Sequence, residues 1–116
     1  MELVAFVGND KESWGQISAL INRGKWDNVF IVKGKDTEDF PLSVSETVKV
    51  NTSQSIVLLR NEIMEKLKSK IGEFEVALSI ASGNGKEHMA VISALLSIPV
   101  GIRLVAFTKD GIEFVN

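Results

Sequence analysis

The chain has 116 residues, of which 45% are hydrophobic and 24% charged, and a formal net charge of −2. That length and balance suit one globular domain with a real core, expected to span residues 1–116, and the charge lacks the basic field of a protein that binds bulk DNA or RNA. With no cysteine and one histidine, the chain cannot form disulfides, thiolate metal sites, a cysteine nucleophile or a histidine-rich metal centre of its own.

Within residues 1–8, Leu3-Val4-Ala5-Phe6-Val7 is a short continuous apolar run, which predicts a central strand covered on both faces. Asn9-Asp10-Lys11-Glu12-Ser13 follows as a polar turn with several possible helix caps. Trp14, Ile17, Leu20 and Ile21 then recur at core spacing, predicting a helix over residues 14–23 with Gly24 as its stop. Val29-Phe30-Ile31-Val32 reads as a second strand, ended by Lys33-Gly34-Lys35. The two lysines either extend a positive rim or form a solvated turn, and the turn is the safer reading. Residues 36–45, with Pro41, read as a loop, and Thr47-Val48-Lys49-Val50 as a short third strand.

Ser53 or Ser55 can cap a long helix whose Ile56, Leu59, Ile63, Leu67 and Ile71 share one face. Its other face carries Arg60, Glu62, Glu65, Lys66, Lys68 and Lys70 and reads as a solvated surface. Val76-Ala77-Leu78-Ser79-Ile80 is a fourth strand, followed by a glycine turn and a helix over residues 86–97. That helix is apolar almost all round, through Met89, Ala90, Ile92, Leu95, Leu96 and Ile98, which predicts cover on two sides. Pro99 ends it, and residues 102–108 form a fifth strand. Asp110-Gly111 is a two-residue hairpin signal, with residues 112–115 returning antiparallel.

The alternation predicts an α/β domain: a Rossmann-like three-layer fold whose mainly parallel five-stranded sheet carries an antiparallel C-terminal hairpin strand. No apolar run approaches the roughly 20 residues of a membrane span, and no basic region precedes a cleavable apolar stretch, so a cytoplasmic protein without membrane contact is expected.

Chemistry concentrates after the fourth strand, at Ser82-Gly83-Asn84-Gly85-Lys86-Glu87-His88. A strand, a glycine turn and a helix start present backbone N–H groups and the positive end of a helix dipole, which suits an anion. Lys86 adds a point charge there. In an open α/β sheet the loops after strands one and four meet where the strand order reverses, which brings Asn9, Ser13 and Trp14 toward this turn. The P-loop pattern fails, because position 80 is Ile and position 87 is Glu, and the dinucleotide fingerprint lacks its third glycine. Gly83 and Gly85 can equally serve a tight turn and nothing more. Ser13 and Ser82 are better hydrogen-bond donors or caps than nucleophiles, since no second histidine exists for an ordinary triad. His88 can act as an acid or base or merely pack, and Trp14 can stack on a base or belong to the core.

The stretch Ala81-Ser82-Gly83-Asn84-Gly85-Lys86-Glu87-His88-Met89-Ala90 resembles the second signature of the CRISPR-associated Rossmann fold family, the CARF domains. That signature is a hydrophobic strand, a small or polar residue, Gly, a variable residue, Gly or Thr, and Lys or Arg opening an apolar helix. The order of elements is similar over most of the chain, and Gly8-Asn9-Asp10-Lys11-Glu12-Ser13-Trp14 takes the place of the first signature with little distinctive sequence. The resemblance implies a homodimer whose paired sites bind a cyclic oligoadenylate, a second messenger of prokaryotic and archaeal antiviral defence, with no cofactor. By position, Gly83, Asn84, Gly85 and Lys86 would hold phosphate or ribose, and Asn9, Ser13 and Trp14 would approach from the other loop. The sequence reaches Asn116 directly after the hairpin, so a stand-alone form is expected: a sensor acting on a separate effector protein, a sink for the messenger, or a ring nuclease with Lys86 as its catalytic group. A degenerate Rossmann-like interaction module with no small ligand is the main alternative, and a small-molecule enzyme of other chemistry is a third.

Overall fold

A computed structural model describes residues 1–41 and 46–116. Six strands form one sheet: β1 (Glu2–Val7), β2 (Val29–Gly34), β3 (Glu46–Val50), β4 (Glu75–Ser79), β5 (Gly101–Thr108) and β6 (Gly111–Phe114). Helices α1 (Trp14–Arg23), α2 (Ile56–Leu67) and α3 (Gly85–Ser97) follow β1, β3 and β4, and a single 3-10 turn over Lys11–Ser13 leads into α1. The strand order is β3-β2-β1-β4-β5-β6, parallel throughout except for the antiparallel β5–β6 pair. This is the Rossmann-like architecture that the strand-helix alternation predicts, and its order reverses between β1 and β4.

β1 is buried along its whole length and feeds two cores. Val4 and Phe6 point to the layer built with Leu59, Ile63 and Leu67 of α2 and Ala90, Val91, Ala94 and Leu95 of α3. Leu3, Ala5 and Val7 point the other way, onto Ile17, Leu20 and Ile21 of α1. Strand alternation of period two explains why these β1 side chains must all be apolar once both faces are covered.

The structure corrects several expectations. β2 runs two residues further than its apolar run, so Lys33 lies inside the strand and is buried, which rules out the solvated turn for that residue. α2 stops at Leu67, leaving Ile71 beyond its end, and Ser55 is its cap. Glu62 is no bystander on a solvated face, for it accepts hydrogen bonds from the Asn51 backbone N–H at 2.9 Å and the Gln54 amide at 2.6 Å. α3 packs against the sheet and against α2, but its outward side is open: Met89 and Leu96 are 63% and 62% exposed. Its apolar outer face is therefore a surface property rather than a second core. The hairpin turn runs through Lys109 and Asp110, because Thr108 pairs with Gly111, and Gly111 follows at φ +100° as the left-handed glycine such a turn requires. The loop expected over residues 36–45 is described through Pro41, and residues 42–45 lie outside the described residues. Among the described residues no helix is long and apolar enough to cross a membrane.

Candidate functional site

The loops after β1 and β4 meet at the reversal point and are stitched together. Ser82 is fully buried; its Oγ accepts from the Gly8 N–H at 2.8 Å and donates to Asp10 Oδ1 at 2.6 Å. The same Asp10 oxygen accepts from the Gly83 N–H at 3.0 Å. The backbones touch: a Cβ on Gly8 would stand 2.8 Å from the Gly83 Cα, so no larger residue fits there. Gly83 itself has φ +100°, and a Cβ on it would press on Phe6, Glu87 and His88. Burial pushes the Asp10 carboxyl up, but the bonds from Ser82, Gly83 and Ser13 outweigh that and hold it below the ordinary value.

At the start of α3, Asn84 and Glu87 form a reciprocal capping box. The Asn84 Oδ1 accepts from the Glu87 N–H at 2.9 Å, and Glu87 Oε1 accepts from the Asn84 N–H at 2.9 Å. A carboxylate of the protein thus already lies against the positive end of the helix. His88 sits one turn in, its Nε2 at 2.8 Å from the Ser82 carbonyl. A carbonyl only accepts, so this nitrogen carries the proton and His88 serves to hold the turn.

Residues 36–41 form a strap over the β1–α1 loop. Thr37 Oγ1 donates to Asn9 Oδ1 at 2.8 Å, and Phe40 packs at a tilt against Trp14 with ring centroids 5.4 Å apart. Trp14 in turn donates from Nε1 to the Gly8 carbonyl at 3.0 Å and packs against the α1-side core.

Between these parts lies an open cleft of about 240 Å³ lined by Asn9, Asp10, Gly83, Asn84 and Glu87. The oxygens of both amides are engaged, by Thr37 and by the Glu87 N–H, and among the described residues their nitrogens have no acceptor, so they can donate to a ligand. Asp10 and Glu87 supply acceptors. Paired donors and carboxylate acceptors match hydroxyl groups and the edge of a base, as a carboxylate matches ribose hydroxyls in dinucleotide folds. They do not match a bare phosphate.

No protein-family model matches this chain, and no curated protein matches it.

Of the residues singled out in the sequence, the structure brings Asn9, Gly83 and Asn84 to the cleft and leaves the others beside it. Ser82 is the buried tie beneath. Gly85 opens α3 with nothing within 4 Å of the place a Cβ would take, so glycine is not sterically required there. Ser13 braces Asp10, donating its backbone N–H to the Asp10 carbonyl at 2.9 Å, and Trp14 is a brace for the loop. Lys86 reaches away, its Nζ donating to the Thr52 carbonyl at 2.9 Å and tying α3 to the loop before α2. Asp10, Glu87 and Thr37 escaped the sequence reading as site groups. Only Glu87 carried a local signal, the Asn-x-x-Glu spacing of a capping box. Among the described residues no group of three or more histidine, cysteine, aspartate or glutamate side chains is placed to hold a metal ion.

Proposed function

We propose that this chain is a CARF-like nucleotide-sensing domain that takes a cyclic oligoadenylate at the β1/β4 cleft in prokaryotic antiviral defence, as a sensor, a sink or a ring nuclease. One observation carries the reading: the loops after β1 and β4 converge on a polar cleft with Asn9, Gly83 and Asn84 in its lining. The donors and carboxylates of that cleft suit ribose or adenine, which assigns them to the nucleoside part of the messenger. Its phosphates then lie outside the capped helix start, where Lys86 meets them only by leaving the Thr52 carbonyl. A homodimer offers a cyclic ligand the same contacts twice. In a ring nuclease, Lys86 would leave Thr52 to stabilise charge while the fold holds a ribose 2′-hydroxyl in line with the scissile phosphate.

The test is calorimetric titration with cyclic tetra- and hexaadenylate on the wild type, Asn9→Ala and Lys86→Ala, followed by chromatography of the ligand. The wild type should bind one ring, and Asn9→Ala should weaken it about tenfold, on the order of 1.4 kcal/mol. Linear product that vanishes in Lys86→Ala makes the protein a ring nuclease, and intact ligand makes it a sensor or sink. A folded wild type that binds neither ring overturns the reading.

A second reading, an interaction module without a small ligand, has its own observation. Val57, Leu58, Met89 and Leu96 are exposed on the outer surface of α2 and α3, beside a groove of about 150 Å³ that includes Val57, Met89 and Arg60. Contiguous exposed apolar patches mark contact surfaces, and Val57 and Met89 share the lining of this groove.

A further inference from the structure

We propose that Lys33 is an anion-binding point, occupied by the protein's own Asp39, and that a phosphate or phosphodiester group competes with that carboxylate for it. The inference is independent of the nucleotide assigned to the cleft, because it requires only an anion.

The Lys33 side chain is 2% exposed, whereas that of Asp39 is 82% exposed, and the two meet at 2.8 Å. The other described partner of the ammonium is the Thr37 carbonyl, at 2.6 Å. An ammonium has three N–H donors, so these contacts leave capacity for another acceptor. The pair is therefore lopsided. Asp39 can swing into water with its hydration intact, but Lys33 would be left as a buried, uncompensated charge, which is strongly unfavourable. The position requires an anion without requiring that the anion be Asp39.

A second lysine raises the demand. Lys33 and Lys49 are register partners on the parallel strands β2 and β3, so their side chains leave the same face on strands about 4.8 Å apart. Like charges placed opposite each other on a sheet repel, and an anion between them removes the repulsion. Asp39 feels both: the hydrogen bond and charge of Lys33, and then the charge of Lys49, hold its carboxyl below the ordinary value. Among the described residues one carboxylate answers these two adjacent cations, an arrangement that suits a phosphate better than a single ion pair does.

The position also communicates with the cleft. Lys33 holds the Thr37 carbonyl, and the Thr37 hydroxyl holds Asn9 Oδ1. Exchange of Asp39 for a ligand anion acts on the strap that orients Asn9, so occupancy at Lys33 and occupancy of the cleft are linked.

The experiment is a pyrophosphate titration followed by backbone amide NMR shifts of Thr37 and Asp39, in the wild type, Asp39→Asn and the double variant Lys33→Met/Asp39→Asn. The wild type should bind weakly, because its tethered carboxylate competes at high effective concentration. Asp39→Asn should bind at least about tenfold more tightly, and the double variant should lose the gain. Equal affinity in the wild type and Asp39→Asn, or a gain that survives without Lys33, overturns the proposal. Should Asp39→Asn fold poorly, its melting temperature supplies the reading: recovery by pyrophosphate beyond that by chloride at equal ionic strength supports the site, and equal recovery overturns it. Competition by an adenosine dinucleotide assigns the position to a nucleotide phosphodiester, and pyrophosphate binding without such competition assigns it to free phosphate.

Discussion

Asp10 holds the switch point together through a single carboxylate oxygen that satisfies the Ser82 hydroxyl and the Gly83 N–H. Replacing it by Ala leaves those donors without their acceptor at a junction whose serine is fully buried, and should destabilise the fold by about 2 kcal/mol in chemical denaturation. The pH dependence has a defined sign. A carboxyl whose folded value lies below its ordinary 3.8 binds more protons when unfolded, so it contributes stability that is present above that value and lost as pH falls through the folded one. Denaturation midpoints measured from about pH 5 down to about pH 2 should therefore decline less steeply in Asp10→Asn than in the wild type. None of this could be read from the sequence, where Asp10 is one cap candidate among several polar residues and its partners lie 72 and 73 positions away.

At the scale of elements, the two glycines of the β4–α3 turn separate cleanly. Gly83 has φ +100° and only tight space for a Cβ, whereas Gly85 starts a helix in open space. Gly83→Ala should cost about 1–3 kcal/mol, while Gly85→Ala should stay within about 1 kcal/mol of the wild type or stabilise it, as thermal melts of the two variants will show. The sequence marked both glycines alike, because composition carries no dihedral angle. Helices and strands were legible where periodicity met both a start and a stop: α1 has Trp14, Ile17, Leu20 and Ile21 bounded by Gly24, and the expected and observed spans agree. β2 was cut short because a lysine looks like an end, and only the strap above shows how a charge is accommodated inside a strand. α3 misled in the opposite direction, since its apolar residues outnumber the positions that the sheet can bury.

For the whole molecule, the alternation of strands and helices pointed to a doubly wound sheet, and the order reversal between β1 and β4 followed only with the strand order usual for such sheets, which the structure has. The direction of Lys86 did not follow, because its partner Thr52 belongs to a loop 34 residues earlier. Val57, Leu58, Met89 and Leu96 stand exposed on α2 and α3, and if this face is the contact surface of the second reading, self-association through it is the simplest form. Met89→Lys should then shift the protein from dimer to monomer in light scattering coupled to size exclusion, with little loss of monomer stability because residue 89 is 63% exposed.

The central position of β1 has a consequence for biosynthesis. It precedes the other strands of the sheet, its residues 3–7 are apolar on both faces, and one of its edges pairs with β4, whose residues 76–79 lie far along the chain. During translation that edge stays open while β2 can already occupy the other, so the nascent chain presents a bare hydrophobic strand for several seconds at ordinary elongation rates of roughly 5–20 residues per second. The arrangement that creates the cleft therefore also leaves an apolar strand edge open in the half-made domain, and closure of the site coincides with the end of that exposure.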